Sequence, residues 1–368
     1  MPLDSRALLR RIAERPRPAG SRAEAAARAV CAEWLAESGL EVSERPFEYS
    51  SFPGELGTPI AGAALFAISM GATLRILLHE ADTGRVLSIA LAALVLVGTA
   101  CWWTARYGTR LLPFMRRPGV NLEARRGVPS VWLVAHLDSK SQPLSLLFRA
   151  AAAACVASGW ILALAAWGFS QILRVPSFVE SILLGIATIS AVPLIFSWLG
   201  NAGSGALDNA SGVASILGAI RLLDLAIPVG VVVTSAEELG LAGARAWVDG
   251  RPAGVAINCD GVDDAGTVTI TTASPGRSLW KAFGRDCAQG IPVRFRRSLP
   301  GVLLDSRAFA DHGWTACTIS RGTIGSLARI HTRSDTLATL AGDGVERTQA
   351  LIASLAGAMV AWSNGAGT

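Results

Sequence analysis

Four apolar runs constrain this chain of 368 residues more than any other feature: Thr58 to Leu78, Val86 to Trp103, Arg149 to Phe169 and Ser181 to Leu199. None carries the polar stripe that a helix on a soluble core presents to water. At about 1.5 Å rise per residue, each can cross a hydrocarbon layer of roughly 30 Å as a helix. The composition agrees, with 51% hydrophobic residues and only 17% charged ones. Trp102, Trp103, Trp160, Trp167 and Trp198 lie at or near run ends, where an amphipathic ring favours the membrane interface. Arg75 and Arg149 stand close enough to helix ends to snorkel towards water.

The runs pair into two hairpins, with tips at His79 to Arg85 and Gln171 to Ser177, so everything outside the tips falls on one side of the membrane. The tips carry Glu80, Asp82, Arg85 and Arg174, whereas the opposite side carries Arg106, Arg110, Arg116 and Arg117. The excess of arginine places the main domain in the cytoplasm. Met1 to Arg17 is charged and has no apolar centre, so no signal peptide is expected. The net charge of +5 comes almost entirely from scattered or juxtamembrane arginines without a basic-aromatic motif. That pattern argues for contact with anionic lipid and against nucleic acid. The six cysteines show no paired or C-x-x-C spacing, and a disulfide framework is not expected.

The remaining sequence reads as one α/β catalytic domain interrupted twice. Its parts are residues 1–56, then 105–142, which bring the first ligand strand, then 201–368 with the other ligands; hairpins occupy 57–104 and 143–200. Ser21 and Glu24 form a capping box before a helix that runs to about Ser38, and Leu40 to Tyr49 alternates like an edge strand. Val131–Ala135, Pro228–Thr234 and Gly254–Cys259 read as strands buried on both faces, with a helix at Asn209–Leu223.

Each buried strand is followed by metal-binding residue types: His136-Leu137-Asp138, then Glu237-Glu238, then Asp260. In open α/β sheets the crevice lies at the carboxyl ends of the strands, so these side chains share one rim. Asp208, in Gly205 to Gly212, and His331, in His331 to Thr336, are two further candidates from loops. Asp335 is either a carboxylate behind His331 or a helix cap; Asp305 and Asp311 are weaker candidates, and His79 and His312 are read as ordinary polar residues.

The ordered set resembles the M28 family of zinc metallopeptidases. Pro16 to Ser21 and Asp305-Ser306-Arg307-Ala308-Phe309 are similar to further family segments. The resemblance implies a three-layer α/β sandwich with a mainly parallel mixed sheet, here with about four transmembrane helices in two inserted hairpins. It implies two zinc ions, with Asp208 bridging them, His136 and Asp260 on one, and Glu238 and His331 on the other. Glu237 would be the general base, and Asp138 would hydrogen-bond the remaining nitrogen of His136. Imidazole and carboxylate donors suit zinc, and a water shared by two such ions becomes nucleophilic near neutral pH.

A membrane-bound aminopeptidase, cleaving N-terminal peptide bonds, is the expectation. The alternatives are a deacylase of lipid-linked or N-acyl substrates and a peptidase-like scaffold without activity. A glutaminyl cyclase would use one zinc, and the presence of both His136 and Asp260 beside the other three ligands argues against it. The second hairpin leaves the domain between Asp138 and Asp208, which puts the site near the bilayer and within reach of a membrane-associated substrate.

Overall fold

The computed structural model describes residues 4–78, 82–173, 176–272, 276–288, 290–299 and 301–365. His79, Glu80 and Arg174 of the expected hairpin tips lie outside the described residues. The domain is built on eight strands: β1 (Glu41–Ser50), β2 (Arg116–Arg126), β3 (Val131–His136), β4 (Val229–Thr234), β5 (Val255–Val262), β6 (Thr267–Thr272), β7 (Val293–Arg297) and β8 (Thr315–Gly322). They form one sheet in the order β1-β2-β4-β3-β5-β8-β6-β7. The central pairs β4–β3, β3–β5 and β5–β8 are parallel, and antiparallel pairings flank them.

Alternation along the central strands builds two cores. Val131, Leu133, Ala135, Val231, Val233 and Ile257 face one helix layer, formed in part by Arg22–Glu37, Ser211–Leu222 and Gly344–Gly365. Trp132, Val134, Val232 and Ala256 face the other, where Trp132 packs edge-on against Trp247 at 4.7 Å between ring centroids. Helices therefore cover both faces, which a parallel sheet requires because its strands leave no face for water. Burial of the central strands also explains why they read as continuous apolar runs, whereas Arg-rich β2 and β7 gave no strand signal.

Among the described residues, four helices are long and apolar enough to cross a membrane: Gly57–Leu77, Thr83–Leu111, Leu146–Leu173 and Phe178–Ile195. They expose large apolar residues, such as Leu96 at 72% and Ile189 at 73%, that a water-soluble surface would not display in such a band. The last helix stops at Ile195, two residues past Pro193, so Phe196 to Leu199 are not part of it as the apolar run suggested. The helices pack through small residues: Gly62 leaves no room for a side chain against Leu194, and Gly159 none against Leu183 and Ala187. Trp160 is not interfacial. It is buried mid-bundle and donates to Ser69 Oγ at 2.8 Å.

Register fixes where the hairpins leave the domain. Leu122 of β2 pairs Val233 of antiparallel β4, so the chain before Leu122 runs past the carboxyl end of β4 to Arg116, paired with Ser50. The first hairpin joins Ser50 to Arg116 and the second follows His136, so both rise from the rim that carries the carboxyl ends of the central strands. The arginines that follow the first hairpin are tied to the domain: Arg106 to Asp311 at 2.9 Å, Arg110 to Asp249 at 2.7 Å, Arg117 to Glu55 at 2.9 Å and Arg116 to Glu48 at 3.4 Å. Free guanidinium groups for lipid, which the sequence suggested, are not what these four present.

Candidate metal centre

The residues singled out from five separate segments meet on this rim. His136 is the last residue of β3, and Asp260 lies near the end of β5. Glu237 and Glu238 follow β4 after a turn at Ala236, whose φ of 57° breaks the strand's alternation and lets both neighbouring carboxylates face the crevice. Asp208 comes from the turn before the helix Ser211–Leu222, and His331, at φ 62°, from the loop after Ile324–Arg329.

Asp208 stands between the two imidazoles, with Oδ1 3.0 Å from His136 Nε2 and Oδ2 2.9 Å from His331 Nε2. Asp260 Oδ1 lies 3.6 Å from His136 Nε2, and Glu238 Oε1 lies 3.1 Å from His331 Nε2. Glu237 Oε2 is 4.0 Å from His136 Nε2. Two donor groups result, His136 with Glu237 and Asp260, and Asp208 with Glu238 and His331, each compact enough for one ion.

The backbone around these side chains is fixed by carboxylates. Asp335 accepts from Leu207 N at 2.6 Å and Asp208 N at 3.1 Å, so it holds the Asp208 turn; it neither backs His331 nor caps a helix. Asp138 Oδ1 and Oδ2 accept from Glu237 N and Glu238 N, both at 3.1 Å. His136 Nδ1 is held at 3.0 Å by the Asp138 carbonyl, while the nearer Asp138 carboxylate oxygen is 3.7 Å away. A carbonyl can only accept, so Nδ1 carries the proton and Nε2 is left for the crevice. The expected tautomer control is thus exerted by the main chain of Asp138, and its side chain instead orders the adjacent glutamates.

The two glutamates are driven apart in acidity. Burial, together with the charges of Glu238 and Asp260, pushes the Glu237 carboxyl well above the usual range despite His136. Burial pushes Glu238 the same way, but His331 and Lys140 outweigh it and bring that carboxyl to about 2. Asp208 is likewise raised by burial and then held well below its usual value by His136 and His331. Adjacent carboxyls split in this way suit one to carry a proton and the other to stay an anion.

Several participants gave no sequence signal. Lys140 reaches Glu238 Oε2 at 2.7 Å, and Arg149 Nη2 lies 3.1 Å from His331 Nδ1, turned towards the site and away from the snorkelling position expected for it. Arg17, 1% exposed, spends its guanidinium on the carbonyls of Ile12, Leu137, Ser204 and Gly205, binding the chain's start to the Asp208 loop. Glu24 does more than cap a helix. It accepts from Gly20 N and from Ser235 Oγ, and burial raises its carboxyl to about 7. Asp305 is buried against Thr234 Oγ1 at 2.5 Å, whereas Asp311 belongs to the Arg106 and Arg307 ion pairs, and His312 is satisfied by the Ala308 carbonyl.

The fold matches solved structures along almost its whole length. An aminopeptidase from Aneurinibacillus sp. strain AM-1 aligns with a TM-score of 0.56 at 13% identity, covering 96% of this chain and 93% of the other. The zinc aminopeptidase of Bacillus subtilis aligns at 0.54 and 15% identity, covering 95% and 93%. The glutaminyl cyclase of Porphyromonas gingivalis aligns at 0.54 and 14% identity, covering 95% and 96%. No curated protein matches the chain. The model of peptidase family M28 matches residues 185–356, a span that includes Asp208, Glu237, Glu238, Asp260 and His331.

Proposed function

We propose that this protein is a two-zinc aminopeptidase of the M28 type, anchored in a membrane by its hairpins and hydrolysing N-terminal peptide bonds at the rim from which they rise. The observation that carries the reading is Asp208 between His136 and His331 at 3.0 and 2.9 Å, one oxygen towards each. His136 and Asp260 would hold one ion, Glu238 and His331 the other, with Asp208 shared. The donor set fits: it consists of imidazole nitrogens and carboxylate oxygens, and Glu238 Oε1 is a buried atom without a hydrogen bond in this structure. Bound zinc supplies Lewis-acid activation of water and of the scissile carbonyl.

The chain's own residues do the rest. The Glu237 carboxylate accepts no hydrogen bond among the described residues, and its raised pKa suits it to take a proton from the attacking water and return it to the leaving amine. Asp138 keeps that carboxyl in place through the Glu237 main chain. His136 presents Nε2 because Nδ1 is committed to the Asp138 carbonyl. The convergence of the residues that would serve as ligands and base on one rim counts against the scaffold alternative. In this reading the catalytic domain faces the cytoplasm, the side favoured by the arginines beyond the hairpins.

A second reading, hydrolysis of an N-acyl or lipid-linked amide, draws on the departure of both hairpins from the rim. Protein purified in detergent separates the two. Aminoacyl-amide reporters with a free amine should be cleaved, chelation should abolish the activity and added zinc should restore it. Cleavage of only the N-acylated counterparts would install the second reading, and activity that survives complete zinc removal would refute both.

A further inference from the structure

Arg149 is a cation that the site leaves without a carboxylate. Ser145 O accepts from its main chain, so it stands in the first turn of the helix Leu146–Leu173, where the second hairpin begins. The junction beneath it is braced: Ser141 and Gly200 exchange two main-chain hydrogen bonds of 2.8 Å, and Gln142 N donates to His331 O at 2.7 Å. Its guanidinium meets His331 Nδ1 through Nη2, its Nε is buried without a partner, and no acidic group of the described residues lies within ion-pair distance of it. The arginines nearest the hairpins elsewhere, Arg106, Arg110, Arg116 and Arg117, all have carboxylates, and buried Arg17 has carbonyls. Lys140, on the same junction and feeling the Arg149 charge, is occupied by Glu238 on one side and keeps a partly exposed side chain.

A partly buried guanidinium with an unfilled donor is costly unless something accepts from it, and its fork matches the paired oxygens of a carboxylate or phosphate. We propose that Arg149, assisted by Lys140, is a subsite for an anionic group of the substrate, a carboxylate or phosphate, on the His331 side of the crevice where the chain enters the membrane. The proposal rests on the hydrolase reading for the word substrate, but anion binding by Arg149 does not require catalysis.

The test uses the full chain in phosphatidylcholine nanodiscs. With zinc loaded, wild type should cleave leucylglycine at least about tenfold more efficiently than leucylglycinamide, the scale of one charge-assisted hydrogen bond. Arg149→Gln should remove that preference, lowering kcat/KM for leucylglycine about tenfold more than kcat/KM for leucylglycinamide. Independently of activity, calorimetry on metal-free protein should show inorganic phosphate binding that Arg149→Gln weakens about tenfold and Arg149→Lys largely restores. Phosphate binding that weakens in phosphatidylglycerol discs assigns the subsite to a lipid headgroup, and equal binding assigns it to a soluble substrate; either supports the subsite. An unchanged phosphate affinity and substrate preference in Arg149→Gln overturns it. Were Glu237→Ala to leave hydrolysis intact while phosphate binding still depended on Arg149, the hydrolase reading would fail and the subsite would stand.

Discussion

Replacing Glu237 by alanine is expected to lower kcat on a free-amine reporter by about a thousandfold or more, the upper part of the range for loss of a general acid–base group. KM and bound zinc should change little. The expectation follows from the division of labour between adjacent residues: the Glu237 carboxyl is pushed up by burial and is not engaged in a hydrogen bond among the described residues, whereas Glu238 is held as an anion by His331 and Lys140. Alanine keeps the main-chain N–H that Asp138 Oδ1 binds, so the position of Glu238 survives the substitution. Steady-state kinetics with metal analysis on the same preparation reads both quantities. Loss of zinc together with activity would instead make Glu237 a ligand, as its place in the His136 and Asp260 donor group also allows.

The second large effect concerns the carboxylate between the imidazoles. Asp208→Asn should cut activity by about a thousandfold or more and reduce bound zinc from about two ions to about one or fewer, because a neutral amide cannot balance two dications. The fold should survive. Asp335 holds the turn through Leu207 N and Asp208 N, which the substitution leaves in place, so the melting temperature of metal-free protein should shift little. A variant that retains two zinc ions and most of its activity would show that Asp208 does not bridge.

What the sequence revealed follows from local burial. Val131–His136, Val229–Thr234 and Val255–Val262 are covered on both faces, so their apolar runs were readable, and the chemistry at their carboxyl ends came with them. The four long helices were readable because they are apolar all round, although most of that surface is exposed. Two arginine-rich strands were not: β2 and β7 carry their arginines outward, and β2 pairs with β4, more than a hundred residues away in sequence. Interactions that depend on the assembled rim were also hidden. Arg149 opens an apolar run and looked like a membrane anchor, yet the brace at Ser141 and Gly200 turns it to His331. Likewise, nothing in His136-Leu137-Asp138 distinguishes a carbonyl from a carboxylate as the partner of Nδ1, and Trp160 gave no sign that Ser69 awaited it. Residue types report chemistry; main-chain geometry decides which atom performs it.

Two ions are proposed to sit in this rim with Asp208 between them. The zinc content of wild-type protein, purified in detergent and quantified by elemental mass spectrometry against amino-acid analysis, tests it most directly. About two zinc ions per chain are expected. Protein that takes up no zinc when supplied with an excess, while remaining folded, would contradict the metal centre and leave an assembled set of ligands without the chemistry proposed for it.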